Sequence, residues 1–389
     1  MKEKSMIPLF FFLLFAASCV IYVPYPVEEP PPSQEETYKE PPPEPISRYD
    51  TSFFYEYLSS HGRWFSHPSY GYVWTPRVHL YKWRPYTYGR WTWTDYGWTW
   101  ASHFEWGWAP FHYGRWGWTQ SLGWFWVPEN RWGPAWVTWR KSNLYVGWAP
   151  IPPGAVRGWS VRIQSLPYSL DHSYWIFVEG SYFFEPRLNR YILPVERNQN
   201  LVKFTVRKTD IIRQGNRVIN KGIDVNVLER ITQRKITKHK LQKTSDPGGT
   251  KVKVDKVELF KPKVKENETA APKNVIRKKE VEKEIPQSPV GRLEKRAPSE
   301  KEEKILGEIH KRQMKLLERS QEKELERLKK EWQEKKEELK GEEKKEIGKK
   351  YKKELEKLKK LHQNEKEKLK ERLQKEEKKL EKKKVKKKD

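Results

Sequence analysis

The sequence predicts a mainly β N-terminal domain of repeated short antiparallel hairpins, then a disordered linker, then a long charged α-helix or coiled coil. Three observations lead to this reading. Eighteen of the 20 tryptophans fall between Trp64 and Trp159. A Gly-Arg-Trp triplet recurs inside that span, with aromatics alternating at every second position. From about Ser299 the composition narrows to Lys, Glu and Leu.

The chain begins MKEKSMIPLFFFLLFAASCV, with Lys2 and Lys4 ahead of the apolar run Ile7–Ala17. A short positive region, an apolar stretch and small residues describe an export signal. The single cysteine, Cys19, follows Ala16-Ala17-Ser18 and resembles the bacterial lipoprotein lipobox, with Ala16 where that pattern usually carries leucine. The resemblance implies that residues 1–18 are removed and that Cys19 becomes the diacylated first residue, a lipid anchor into the membrane. Cleavage elsewhere and an uncleaved anchor running to Val23 are the alternatives. Val20 is not the aspartate of an inner-membrane retention signal, so the expected location is the outer membrane of a two-membrane cell envelope. One cysteine allows no intramolecular disulfide, so stability must come from packing.

Export also sets the meaning of the charge. Residues 1–200 hold 18 basic and 16 acidic side chains, whereas 201–389 hold 61 and 36. Such asymmetry marks separate modules. Outside the cytoplasm the polyanions within reach are lipid phosphates, anionic polysaccharides and peptidoglycan carboxylates, so nucleic acid is not the expected partner. Residues 19–48 form a Pro/Glu-rich spacer, extended because proline fixes φ and removes backbone donors.

The tryptophan repeat starts at Gly62-Arg63-Trp64, Gly89-Arg90-Trp91 and Gly114-Arg115-Trp116. A second glycine-aromatic run follows each: YGYVWTP at 70–76, YGWTWAS at 96–102 and LGWFWVP at 122–128. Period-two aromatics broken by Gly, Asp and Pro read as strands joined by tight turns, about one hairpin per repeat. Alternation places Trp91 and Trp93 on one face and Thr92 and Thr94 on the other, which predicts a sheet with one buried face. These motifs, with WGPAWVTWR and YVGWAPIPP further on, resemble a Trp-rich bacterial domain of unknown function found in exported proteins, over roughly residues 52–240. The resemblance implies an envelope location and supplies no catalytic residues.

The β domain is assigned to residues 49–243. Within it SYWIFVEGSYFF and LVKFTV read as strands, Asp224 as the N-cap of a helix carrying Val227, Leu228 and Ile231, and RKITKHKLQ as a basic strand. Residues 244–298, rich in Lys, Glu and Pro, are assigned to a disordered linker. Residues 299–386 carry Glu-before-Lys pairs at i, i+4, such as Glu371/Lys375, which favour a helix. Leu325, Leu328, Trp332 and Leu339 start an apolar stripe, and Ile347, Leu358, Leu369 and Leu380 recur every eleven residues. An oligomeric coiled coil is the favoured form and a solitary helix the alternative; either would reach about 130 Å at 1.5 Å per residue. The Lys-rich end, 378–389, offers contact with an anionic envelope polymer.

No HExxH, CxxC, GxSxG, P-loop or GxGxxG is present, so no catalytic, metal or cofactor site is assigned. His61, His67, His79, His103 and His112 show no metal-ligand spacing and read as polar members of an aromatic surface. Asp95, Glu105 and Glu129 do not repeat as a carboxylate pair, and Asp95 reads as a turn residue. Arg63, Arg90 and Arg115 read as cations stacked on neighbouring rings. The expected role is non-catalytic scaffolding or bridging in the envelope. Trp98, Trp100, Trp124 and Trp126 are the candidate sugar-stacking residues of an alternative glycan-binding module, and a glycoside hydrolase is the remote alternative.

Overall fold

Each tryptophan repeat folds as one hairpin. The structure is a computed structural model that describes residues 48–78, 83–119, 121–154, 162–163, 170–277 and 300–385. The leader, Cys19, nearly all of the spacer and the last four residues lie outside the described residues. Strand β1 (Tyr49–Asp50) leads into helix α1 (Thr51–Ser59), capped by the Asp50 carboxylate, which accepts the Ser52 N–H at 2.8 Å. The repeats then give β2 (Gly62–His67) with β3 (Gly71–Pro76), β4 (Gly89–Thr94) with β5 (Gly97–Ser102), and β6 (Arg115–Thr119) with β7 (Gly123–Val127). A fourth hairpin without the triplet follows as β8 (Val137–Lys141) and β9 (Tyr145–Pro150). All four place a tryptophan opposite a tryptophan: Trp64 and Trp74, Trp91 and Trp100, Trp116 and Trp126, Trp139 and Trp148.

The two glycines of a repeat do different work. Gly89 lies beneath the cross-strand indole, where a Cβ would sit 2.6 Å from the Trp100 ring; Gly62 and Gly114 meet Trp74 and Trp126 in the same way. Only hydrogen leaves room for the ring, which is why the triplet begins with glycine. Gly97, at φ +81°, is the turn residue, following Asp95 and Tyr96 as expected.

Both faces of the central hairpin are sealed, which corrects the expectation of one buried face. Trp91 is 1% exposed, yet Thr92 and Thr94 on the opposite side are 3% and 1% exposed, while Trp93 is only half-buried. The threonines are satisfied internally, Thr94 Oγ1 lying 2.8 Å from Thr99 Oγ1 and Thr92 Oγ1 3.1 Å from His239 Nδ1. The reason is tertiary. β4 and β5 sit in the middle of an eight-stranded sheet, where strands from far along the chain close both edges, and the Trp91 ring on one face packs on Trp139 and Trp148 of the fourth hairpin.

Those later elements are β10 (Arg162–Ile163), β11 (Ile176–Glu179), α2 (Asn198–Phe204), β12 (Val206–Lys208), β13 (Ile211–Gln214), β14 (Arg217–Asn220) and α3 (Val225–Thr232). β15 (Lys238–Thr244), β16 (Lys251–Val252), β17 (Lys256–Phe260), β18 (Val264–Lys265) and β19 (Val275–Ile276) complete the strands. The eight-stranded sheet runs β10-β13-β14-β5-β4-β15-β17-β16. A five-stranded sheet, β19-β2-β3-β7-β6, joins the first and third repeats, and a four-stranded one, β11-β9-β8-β12, holds the fourth hairpin. Asp224 caps α3 as expected, accepting the Val227 N–H at 3.2 Å, and the basic strand appears as β15. The run LVKFTV is corrected: its first half is α2, because only Leu201 of that half turns into the core. The linker is corrected as well. Residues 251–276 contain the short strands β16 to β19, with Val257, Leu259 and Phe260 at most 3% exposed, so ordered β structure runs past 243. β15 and β17 pair in parallel over five residues, with Val257, Leu259 and Phe260 of β17 buried and Leu241 of β15 partly so.

The C-terminal region is two helices, α4 (Glu300–Glu338) and α5 (Gly341–Val385), folded back on each other. Gly341, at φ +61°, makes the reversal. Trp332 stacks on Tyr351 at 5.2 Å and 11° near the turn, Lys366 pairs with Glu318 at 2.9 Å, and His310 reaches Glu376 at 3.1 Å near the open end. The single 130 Å rod is therefore corrected to a hairpin whose arms are about 58 and 68 Å long at 1.5 Å per residue. A stripe too thin for a self-standing seam gains from meeting its own continuation, since Leu317, Leu369 and Leu373 pack together inside the hairpin.

Candidate functional site

Three of the four candidate sugar-stacking tryptophans have no face to offer. Trp98, Trp100 and Trp126 are 0% exposed, with the Trp98 indole donating to the Ile223 carbonyl at 2.8 Å and that of Trp126 to the Tyr113 carbonyl at 2.7 Å. Trp124 is half-buried and meets Tyr174 edge-on at 5.2 Å. The glycan-stacking assignment fails for the first three because hairpin packs on hairpin and the aromatic faces become core.

Arg115 stacks as expected, its guanidinium 3.5 Å from the Trp136 ring centroid, and pairs with Glu129 at 3.0 Å. Arg90 is half-buried, and that burial lowers its pKa. Of the histidines, His67 stacks on Phe125 at 5.4 Å and His103 lies 3.0 Å from the Pro186 carbonyl, while His79 lies outside the described residues. Among the described residues no group of three His, Cys, Asp or Glu side chains is placed to hold a metal ion.

His112 departs from the surface reading. It is 0% exposed, stacked on Trp132 at 5.4 Å and 8°, with Nδ1 3.0 Å from the Gly133 carbonyl. Burial, with Lys261 nearby, takes its pKa down from 6.5 to about 4. Well above pH 6.5 neither the folded nor the unfolded chain protonates this ring. As pH falls from 6.5 toward 4 the unfolded chain gains a proton that the folded one refuses, so stability is lost across that window. The loss approaches about 3 kcal/mol at roughly 1.4 kcal/mol per pH unit. His112→Asn retains a donor for Gly133 and removes the titration. The wild-type stability advantage over this variant should therefore shrink between pH 7 and pH 4 in denaturant unfolding, and an unchanged difference would refute the buried neutral imidazole.

The densest polar constellation lies where the helical hairpin meets the β domain, and sequence reasoning missed it. Arg197, in the turn before α2, is 0% exposed; its guanidinium donates to Glu324 of α4 and lies 3.4 Å from Glu365 of α5. His362 Nε2 sits 2.8 Å from the other Glu324 oxygen, and the Asn200 amide donates to Glu365 at 2.5 Å. Gln321 donates to Glu365 at 2.9 Å and to the His362 carbonyl at 2.9 Å. The Tyr145 hydroxyl reaches the Ser320 carbonyl at 2.9 Å. Lys323 pairs with Glu179 and Arg372 with Glu196 at the margins of the seam. Leu316 seals it by joining the cluster of Trp136, Tyr145, Trp175 and Leu201.

Burial pushes the Glu324 carboxyl upward, but His362 and Arg197 outweigh it and hold the group below its usual value. Burial likewise opposes the Arg197 charge, and Glu324, Tyr145 and Glu365 more than restore it. The Arg197 charge is thus neutralised by the arm, while Glu324 is held both by Arg197 of the β domain and by His362 of its own arm. Beside the seam a groove of about 680 Å³ opens between the helices, lined by Leu325, Tyr351 and Leu355 and by polar side chains that include the seam residues Gln321 and His362.

Fold and site together define a tryptophan-cored β domain carrying a docked, charged helical hairpin. Residues 55–155 match the model of a family of unknown function, DUF6600, a span that contains the four tryptophan hairpins. The match is shorter than the 52–240 span over which the motifs carry the resemblance, and the elements after β9 fall outside it. No curated protein and no solved structure matches the chain.

Proposed function

We propose that the protein is a non-catalytic structural component of the bacterial cell envelope, anchored by lipid at Cys19, in which the tryptophan domain is the rigid body and the helical hairpin a bridging arm. The observation that carries this reading is the seam. Arg197 binds carboxylates from both helices at once, so neither helix turns independently of the β domain. A stiff, charged arm with a largely polar groove between its helices suits holding two envelope components at a set separation. The spacer before residue 49 would supply the distance from the membrane.

Cys19→Ser should abolish incorporation of labelled fatty acid and shift the chain from the membrane to the soluble fraction. Membrane attachment that persists without lipid would defeat the anchor. Bridging has its own check: a photo-crosslinking residue at position 355, in the groove, should capture one discrete envelope partner in intact cells, whereas a smear or no product argues against it.

A further inference from the structure

The β domain holds one side of the arm and leaves the other open. Glu318 and Glu322 of α4 line the groove between the helices, whereas Ser320 and Glu324, each two residues further on, bond to Tyr145 and Arg197 of the β domain. Two residues are about 200° of helix, so the groove opens on the side away from the β domain. We propose that this groove is a self-association surface, against which a second copy of this chain lays its own groove to form a four-helix bundle of two hairpins.

Burial along the arm points to a neighbour. Leu317, Leu369 and Leu373, close to the seam, are at most 7% exposed. Farther toward the turn no residue from 325 to 361 is buried, and Leu325, Leu328, Trp332, Tyr351, Leu355 and Leu358 are each left half-covered. Two helices cover only part of each other's apolar stripe, and a second pair laid across them closes the stripes into one core. The space between the helices is itself unfilled, a groove of about 680 Å³ with Leu325, Tyr351 and Leu355 in its lining.

Charge selects the occupant. The α4 wall of the groove carries Glu318, Glu322 and Glu326, with Lys329 nearer the turn, and the α5 wall carries Lys359 and Lys366. Lys366 meets Glu318 at 2.9 Å across the groove, while Glu322, Glu326 and Lys359 stand exposed. An acidic wall beside a basic one is complementary to its own copy under one symmetry. With the two-fold axis parallel to the arm, the acidic wall of each chain lies over the lysine wall of the other, and every helix gains an antiparallel neighbour. An axis across the arm would instead set glutamate on glutamate. Glu322 stands 19 residues before Gly341 and Lys359 18 after it, so Glu322 of each chain comes level with Lys359 of the second copy. Both β domains then lie at the same end of the bundle, on its outside.

A partner of one charge sign would satisfy one wall and oppose the other. The inference deepens the bridging reading, on which it rests for where the chain acts, by naming what fills the groove: the discrete product expected at position 355 is a second copy of this chain. The two readings fail separately. Capture of a different envelope protein at position 355 would overturn the pairing and leave bridging in place.

Sedimentation equilibrium of the full chain tests the pairing, in density-matched non-ionic detergent with micelles in large excess so that two lipid anchors do not share one. Wild type should report the mass of two chains. Glu322→Lys with Glu326→Lys makes both walls basic, and Lys359→Glu with Lys366→Glu makes both acidic. Each double variant alone should associate at least tenfold more weakly than wild type, and an equimolar mixture of the two should recover association. Far-ultraviolet circular dichroism of each should match wild type, since none of the four side chains is buried. A one-chain mass for wild type, association untouched by either reversal, or a mixture no better than its components would each overturn the proposal.

Discussion

Arg197→Ala is expected to release the helical arm while the tryptophan hairpins stay folded. The substitution leaves Glu324 and Glu365, 6% and 3% exposed, facing each other with their shared cation gone. Removing one partner of a buried ion pair costs about 3–5 kcal/mol, because the remaining charge is stranded away from water. Here one arginine serves two carboxylates, but His362 stays on Glu324 and Asn200 and Gln321 stay on Glu365, so the lower part of that range applies. The arm is also held by Leu316 in an apolar cluster, the Tyr145–Ser320 and Asn200–Glu365 hydrogen bonds, and the pairs Lys323–Glu179 and Arg372–Glu196. Hydrogen exchange should accelerate across 316–324 and 362–376, and a protease should cut the arm, while β4 and β5 remain protected. Arg197→Ala combined with Glu324→Gln and Glu365→Gln removes the stranded charges while keeping acceptors for His362, Asn200 and Gln321, and should recover part of the docking. Unchanged exchange in the single variant would mean that the seam is incidental to docking.

Trp91→Ala should destabilise the β domain by about 3–5 kcal/mol, the range for truncating a buried tryptophan. Its ring is a hub, 5.0 Å from Trp100, 4.5 Å from Trp139 and 5.8 Å from Trp148 between centroids. The cavity would open between two sheets, β4–β5 on one side and β8–β9 on the other, where neither can collapse without dragging its hairpin. For a domain of this size the drop in melting temperature should be on the order of 10 °C, at roughly 2–4 °C per kcal/mol. Trp124→Ala, at a half-exposed ring, should cost less than half as much. A reversed order would mean that the cross-strand tryptophans are not the core.

The three hairpins of the repeats were legible because their determinants are local, whereas the fourth, β8–β9, lacks the triplet and was not read as a hairpin. Gly97 must adopt a positive φ, Asp95 and Tyr96 must form the turn, and tryptophans two apart must share a face. None of this requires knowing what lies on the other side. The family match confines itself to the same stretch, 55–155. The helical content was legible for the same reason, as Glu371/Lys375 closing at 4.0 Å illustrates.

The seam was not legible, because its members are remote in sequence. Arg197 and Glu324 are 127 residues apart, and Asn200 and Glu365 are 165 apart. In the sequence Glu324 and Glu365 are two glutamates among many in a Lys/Glu repeat, and no periodicity sets them apart. Burial alone distinguishes them, and burial is a property of the partner surface. A sharper warning was available at Gly341, where the interruption of a charged helix marks the reversal.

The sequence by itself determined the three repeat hairpins, their glycine and tryptophan geometry, and the helical character of residues 300–385, since each follows from backbone preference and side-chain period within a few residues. Only the tertiary structure decided that both faces of β4 and β5 are covered, that Lys-rich residues 251–260 are strands rather than linker, and that the two helices fold back and dock on Arg197. The physical reason is common to all three. Whether a half-polar segment is core, edge or arm depends on desolvation, and desolvation is set by neighbours that chain folding brings in from a distance.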